Sequence, residues 1–283
     1  VKVKHNDGGV MVSYGKVVST TVELLRKAET KLDEDVISAI RTAYENEDNE
    51  IARINLKNIL KNLEIAERKN VPMCQDTGLP VFFVEIGRKV NLSFDLSNAI
   101  KEGVKIATEE IPLRPSTVHP LTRENSGDNT GIHMPVIDFE IVEGDSLKLT
   151  VIPKGAGSEN VSILKMLLPE EVSKIPGIIT EAVENAGGKP CPPVFVGVGI
   201  GSTFDGAAKL AKKALLRNVN GMNEFERKIL ERINSLNIGP MGLGGKTTAL
   251  AVLVEIAHCH TASLPLAVNI QCWANRRATA VLR

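Results

Sequence analysis

Four cysteines, at positions 74, 191, 259 and 272, are the side chains of this 283-residue chain best suited to hold a soft metal. No two of them form a CxxC or CxC pair, which excludes a local zinc ribbon or ferredoxin-type loop, so any shared metal must be assembled from distant segments. A lone Cys is ordinarily a small buried hydrophobe. Cys74 lies in Pro72-Met-Cys-Gln-Asp-Thr-Gly78, Cys191 in Lys189-Pro-Cys-Pro-Pro193 and Cys272 in Asn269-Ile-Gln-Cys-Trp-Ala-Asn-Arg-Arg277. Each sits at a loop or strand end beside polar or Pro residues, where a thiolate can be presented to a cofactor. Cys259, inside Ala257-His-Cys-His-Thr261, is either a fourth ligand or a packed residue. If Val252 to His260 is a strand, alternation sets His258 and His260 on one face and Cys259 on the other, so that Cys259 and His260 do not bind one metal together.

Two glycine-rich segments invite a phosphate reading. In Gly239-Pro-Met-Gly-Leu-Gly-Gly-Lys246-Thr247 the position where a P-loop needs its first Gly is Pro240, so the match fails by one residue. Pro also removes an N–H from a loop whose function is to donate them. The second segment, Lys154-Gly-Ala-Gly-Ser-Glu-Asn160, follows an expected strand and serves a close backbone approach to an anion or a plain turn equally well.

Met73-Cys-Gln-Asp-Thr-Gly78, Lys154 to Asn160, Gly199-Ile-Gly-Ser-Thr-Phe-Asp205, Gly239 to Leu250 and His258-Cys-His-Thr-Ala-Ser-Leu-Pro265 together resemble the class I fumarate hydratase family, which also contains L-tartrate dehydratase. The likeness runs in order from about Ser13 to Arg283 and is similar to the N-terminal half of the single-chain enzymes or to the α subunit of the two-subunit forms. The resemblance implies a [4Fe-4S] hydro-lyase acting on a dicarboxylate, fumarate to malate first and tartrate as the alternative, with Cys74, Cys191 and Cys272 as cluster ligands and one iron open as a Lewis acid. It implies that Gln75, Arg114 and Gly157 bind substrate, that Asp76 belongs to the proton-transfer network, and that His260 pairs with Asp76 or the substrate. Cys259 has no ligand role in that pattern. Read without it, Asp76 before Thr77-Gly78 is a good turn residue and Arg114 before Pro115 a surface charge. Asn129-Thr-Gly departs from the Asn-Thr-Pro of the family at a turn. A separate β subunit is expected to supply a second carboxylate partner, because the sequence offers one well-matched arginine and ends at Arg283 soon after the third ligand; a hetero-oligomer follows. A non-catalytic metal- or nucleotide-binding scaffold is the competing reading.

Composition narrows the class further. Hydrophobic residues at 43%, charged residues at 24%, and 34 Lys plus Arg against 34 Asp plus Glu describe a folded chain of zero formal net charge. With aromatics at 4%, neither a general grip on nucleic acid nor one on anionic lipid is expected. The stretches 190–203 and 261–275, free of charged residues and of histidine, are too short to span a membrane, and a cytosolic protein with reduced thiols is expected. The first residues, VKVKHNDGG, lack the apolar region of a signal peptide; residues 1–12 read as a leader, with Met11 as the original start.

The elements that must position these residues follow from periodicity. Val36, Ile37, Ile40, Ala43 and Tyr44, then Ile51, Ile54, Ile59, Leu60 and Leu63, fall at helical spacing, with Asp33 and Asn49 as caps, and predict a helical subdomain over 13–70. Over 71–283 strands and helices interleave in one α/β part, a mixed sheet with flanking helices. Strands are predicted at 80–87, 136–142, 147–152, 193–200, 249–256 and 266–270, and helices at 95–110, 170–186, 205–216 and 224–236. The strands 136–142 and 147–152, joined by Glu143-Gly-Asp-Ser146, read as a hairpin. Leu113 to Gly131, with His119, Arg123 and Asn125, reads as a long functional loop, His133 following it; its histidines are given no role.

Overall fold

A computed structural model describes residues 10–283; residues 1–9 of the expected leader lie outside the described residues. In chain order the elements are β1 (Val10–Met11), α1 (Tyr14–Thr30), α2 (Glu34–Asn46), α3 (Glu50–Lys69), β2 (Leu79–Gly87), β3 (Val90–Asn91), α4 (Leu96–Glu110), β4 (Val136–Val142) and β5 (Leu147–Lys154). There follow α5 (Ala156–Glu159), β6 (Ile163–Leu167), α6 (Ile175–Ala186), β7 (Val194–Ser202), α7 (Phe204–Ala214), α8 (Glu224–Asn234), β8 (Ala249–Cys259), β9 (Leu264–Gln271) and β10 (Ala278–Leu282). The chain is α/β, opening on three helices. Caps explain several boundaries: Ser13 Oγ accepts from the Lys16 N–H at the start of α1, and Asp95 accepts from the Asn98 N–H at the start of α4. The helix predicted at 170–186 is a 3₁₀ run, Pro169–Lys174, leading into α6, whose first turn tolerates Pro176. Among the described residues no helix is long and apolar enough to cross a membrane.

The chain forms two compact units, one of residues up to 31, 69–154 and 276–283, the other of 32–68 and 155–275. α1 belongs to the first, α2 and α3 to the second.

In the first unit a four-stranded sheet runs β10-β5-β2-β4. Val17, Leu25 and Ala28 of α1, and Ile100, Val104 and Ala107 of α4, share one core with Phe82 and Val84 of β2 and Leu147, Leu149 and Val151 of β5. The expected hairpin is overturned: β4 and β5 are not paired, because β2 lies between them, parallel to β4 and antiparallel to β5. Five consecutive residues of β2, Pro80 to Val84, are buried, so it takes a central position, whereas β4, exposed along much of its length, is left at the edge. The turn that looked like a hairpin is bridged by the end of β2, with Gly87 N–H donating to Ser146 O at 2.9 Å and Lys89 N–H to Gly144 O at 3.0 Å.

In the second unit the sheet runs β6-β9-β7-β8. Val194, Val196, Val198 and Ile200 of β7 face Ile179 and Val183 of α6 and Ile229 and Ile233 of α8. The alternate residues Gly197 and Gly199 face α7. A Cβ on either would stand 2.1 Å from the Ala211 or Ala207 carbonyl oxygen, so the helix reaches the strand only because these positions carry no side chain. β6 and β10, which periodicity did not predict, pair with β9 and β5.

Candidate active site

In the first unit, the loop Met73–Gly78 presents Cys74, Gln75 and Asp76. Gln75 is exposed, Cys74 and Asp76 half-buried. The Asp76 carboxylate accepts from the Gly78 N–H at 3.0 Å, which is the turn role its sequence context suggested. Next along, Thr77 ties this loop to Arg114: the Arg114 N–H donates to Thr77 Oγ1 at 3.0 Å. Asn129 holds the Arg114 segment from the other side. Buried to 1% exposure, it accepts from the Ser116 N–H at 2.7 Å and donates through Nδ2 to Arg114 O at 3.2 Å and Thr108 Oγ1 at 3.2 Å. Asp76 and Arg114 are thus brought together through Thr77. The Arg114 side chain is exposed and its guanidinium makes no ion pair among the described residues. An exposed guanidinium on a backbone held beside a carboxylate-bearing loop suits capture of an anionic substrate by a planar fork of donors.

Beneath this loop lies a pair that the amino-acid order did not announce. Glu29 of α1 and Arg276 are each about 1% exposed and meet at 2.7 Å. Burial pushes the Glu29 carboxyl up to about 7, against the pull of the Arg276 guanidinium and with a further push from Asp76. The signal was present: Glu29 continues the buried stripe Val18, Val22, Leu25 of α1, where an acid is out of place unless paired.

In the second unit three segments meet at one end of the sheet, where β7 begins and β9 ends. The Trp273 N–H donates to Cys191 O at 3.3 Å, bringing the Cys191 loop against the residues after Cys272. Ser158 of α5 donates to Gln271 Oε1 at 3.3 Å, and Gln271 Nε2 donates to Ala274 O at 3.2 Å. The Cys272 thiol also points to Ala274 O, at 3.8 Å. Gly157 is exposed in the single turn of α5, where a Cβ would stand 3.2 Å from Lys189 O of the Cys191 loop. Cys191 itself is exposed and holds φ 53, a left-handed conformation that costs a non-glycine residue about 1–3 kcal/mol and gathers at functional sites. Cys191, Cys272 and Gly157 are therefore brought together.

His260 is not brought to them. Cys259 pairs with Ser202 at the far end of β7, whereas Gln271 pairs with Phe195 at its start. Seven residues of strand separate those rungs, about 23 Å at the usual rise. His260 is exposed there and its Nδ1 accepts from the Ala262 N–H at 3.1 Å. Cys259 donates to Ser263 O at 3.2 Å.

The glycine-rich loop before β8 has a structural role. The N–H groups of Gly239, Met241, Gly242 and Gly244 donate to Thr248 Oγ1, Pro192 O, Gly239 O and Ile238 O, and the Lys246 N–H donates to Glu47 Oε2 at 2.8 Å. The Lys246 ammonium pairs with Asp48 at 2.7 Å. A phosphate would find few donors left. A Cβ on Gly242 would stand 2.6 Å from the Gly188 Cα, so this loop braces the Cys191 turn.

His119, Asn125 and His133 line a separate cavity of about 760 Å³ within the first unit.

Among the described residues no group of three His, Cys, Asp or Glu side chains converges to hold a single metal ion. Thiolates that bind different irons of one cluster need not converge on a point. None of the four cysteines is in a disulfide, and Cys74, Cys191 and Cys272 are accessible at loops, so donor type and access fit an iron–sulfur group.

The sequence family described as fumarate hydratase (fumerase) matches residues 18–281. A protein of Methanocaldococcus jannaschii named "Putative L(+)-tartrate dehydratase subunit alpha" is 52% identical over 274 residues, covering 93% of this chain and 96% of its own length. "Putative fumarate hydratase class I" of Geobacillus stearothermophilus is 37% identical over 278 residues, 93% of this chain, which spans 54% of that protein. "L(+)-tartrate dehydratase subunit alpha" of Escherichia coli is 32% identical over 275 residues, covering 94% of this chain and 91% of its own length.

Proposed function

From the premise that this chain belongs to the fumarate hydratase and tartrate dehydratase family of hydro-lyases, we propose that it is the α subunit of a [4Fe-4S] enzyme that adds water to fumarate, or removes it from the corresponding hydroxy acid. The observation that carries the reading is the meeting of the Cys191 and Cys272 segments at one end of a sheet, stitched by the Trp273 amide.

Cys74, Cys191 and Cys272 would hold the cluster. With three thiolate ligands, such a cluster supplies one iron as a Lewis acid toward substrate oxygens. Arg114 binds a substrate carboxylate through two parallel N–H donors, which fixes the dicarboxylate in one orientation. Gln75 and the Gly157 N–H donate to other oxygens of the substrate. Asp76 moves the proton at the substrate carbon next to the one that carries the hydroxyl, so that loss of proton and hydroxide leaves the double bond, and the reverse adds water. His260 stands a strand's length from Cys191 and Cys272 of its own chain; we keep it as an acid–base group only at an active site shared with a second molecule.

A β subunit is proposed from the names of the relatives, two of which are α subunits. It would complete the site with a cation for the second carboxylate and exclude water. Tartrate is the second reading for the substrate, favoured by those same two names. The test is anaerobic reconstitution of this chain with iron and sulfide, assayed with and without the candidate β subunit on fumarate, malate, mesaconate and the tartrate isomers. Turnover of one dicarboxylate pair appearing only on mixing supports the reading. Full turnover by this chain alone removes the β subunit from it, and no turnover of any dicarboxylate by the brown, reconstituted complex refutes it.

A further inference from the structure

We propose that the buried Glu29–Arg276 pair is a positioning device that sets the loop carrying Cys74, Gln75 and Asp76. The pair brackets that loop at both ends. The Glu29 backbone carbonyl accepts from the Met73 N–H at 2.9 Å, and Arg276, held by the Glu29 carboxylate at 2.7 Å, donates from the same guanidinium nitrogen to the Asp76 carbonyl at 2.9 Å. One residue on α1 therefore fixes the entry to the loop directly and its exit through Arg276. Between the two anchors lie the proposed ligand and the proposed substrate-contacting Gln75.

Stability alone does not account for the pair. Withdrawing two charges from water costs more than a typical ion pair returns, and well-packed apolar residues of similar volume at such sites are often as stabilising or more so. Here the mismatch is visible, because Glu29 Oε1 is buried without a hydrogen-bond partner. What an apolar pair could not do is donate to the Asp76 carbonyl. That carbonyl belongs to a half-buried turn whose side chain must keep one direction for proton transfer, and a planar guanidinium locked by a carboxylate is a rigid donor. The catalytic meaning of this placement rests on the function proposed above; the placement itself does not.

The experiment uses the double variant Glu29→Leu/Arg276→Met, which removes both charges and leaves neither partner stranded, with Glu29→Gln as a second variant that preserves shape. Three quantities are read at about pH 8, above the value of about 7 to which burial raises the Glu29 carboxyl, so that the pair is charged: melting temperature, hydrogen exchange of the 73–77 amides in the cluster-free chain, and site-resolved alkylation of Cys74 relative to Cys259. The expected result is a melting temperature near wild type for the double variant, with loop exchange and relative Cys74 alkylation changed by about tenfold or more, as for a segment that opens locally. α4 amides, in the same unit, should exchange as before. Glu29→Gln should move the same two loop readouts in the same direction, so the test survives if the double variant fails to fold. Wild-type loop exchange and Cys74 reactivity in whichever variant folds would overturn the proposal. In the reconstituted complex, a fall in kcat larger than any change in KM should accompany the loosened loop. If the cluster-free readouts move while turnover does not, the positioning stands and the assignment of Asp76 to proton transfer fails.

Discussion

Trp273 and Cys191 are joined through their backbones, the Trp273 N–H donating to the Cys191 carbonyl at 3.3 Å. The two residues are 82 positions apart in the chain and meet because β7 and β9 are antiparallel neighbours, with Phe195 opposite Gln271. That register puts the residue that begins the Cys191 loop's return and the one that follows Cys272 at the same end of the sheet. If both cysteines ligate one cluster, each should be indispensable, and Cys259 at the other end should not be. Iron and sulfide content of the four Cys→Ser variants after anaerobic reconstitution checks this: near-complete loss at 74, 191 and 272 and full retention at 259 are expected. Loss at 259 with retention at 272 would exchange their roles.

Arg114→Lys should raise KM for the dicarboxylate by about tenfold or more, since an ammonium cannot reproduce the bidentate grip of a guanidinium on a carboxylate, a difference of about 1.4 kcal/mol or above. Its melting temperature should stay within a degree or so of wild type, because the exposed guanidinium makes no ion pair among the described residues. A lowered melting temperature with unchanged KM would make Arg114 structural.

Asn129→Ala should behave in the opposite way. Removing a side chain that is 1% exposed and serves Ser116, Arg114 and Thr108 leaves buried groups unsatisfied, a loss of about 1–3 kcal/mol in unfolding free energy. Denaturant titration measures it, and a loss below about 0.5 kcal/mol would mean that water takes over these bonds.

Gly242→Ala adds a methyl 2.6 Å from the Gly188 Cα at a residue with φ +74. Strain and overpacking together should lower stability by about 1–3 kcal/mol and shift the Cys191 turn. The readout is faster loss of iron in air than wild type; an unaltered half-life of the cluster would show that the turn does not depend on this brace.

Glu29 should give the chain a specific pH dependence. Its folded value of about 7 lies above the ordinary 4.5, so the folded state holds the proton more tightly than the unfolded chain does. This contribution is fully present below about 4.5 and is lost as pH rises through about 7, in total roughly 3 kcal/mol. The unfolding free energy of wild type minus that of Glu29→Gln should therefore fall across that window. A constant difference from pH 4 to 8 would show that Glu29 keeps an ordinary acidity.

His260→Ala should leave stability unchanged, since the His260 side chain is exposed and among the described residues accepts one bond, from the Ala262 N–H. A fall in kcat from this variant, rescued when subunits carrying it are mixed with others defective at Asp76, would place the histidine's action on a neighbouring molecule. Unchanged turnover would take it out of the mechanism.

Much of this was legible in the amino-acid order. Strong periodicity in α2 and α3, the cap Asn49, whose Oδ1 accepts from the Ala52 N–H at 3.1 Å, and the apolar runs that became β2, β7, β8 and β9 are local properties, written within a few residues of where they act, whereas Asp33 precedes α2 without a side-chain capping bond. The motif segments around Cys74, Cys191 and Cys272 were equally local, and so the donor types could be read directly. Short strands such as β6 and β10 carry too few residues for a period to register.

What tertiary structure decided is pairing at a distance. Glu143 to Ser146 has every mark of a hairpin turn, yet β2 enters between its arms, because a strand buried on both faces needs two neighbours and the turn itself holds no information about a third strand. Likewise no spacing announces that Thr77 meets Arg114, that Glu29 meets Arg276 across 247 positions, or that His260 lies at the wrong end of its sheet for Cys191. Sequence by itself determined which side chains could do the chemistry and which elements carry them, because residue type and periodicity act over single turns and strands. Which of them stand together was decided by sheet order and register, which depend on burial summed over the whole unit.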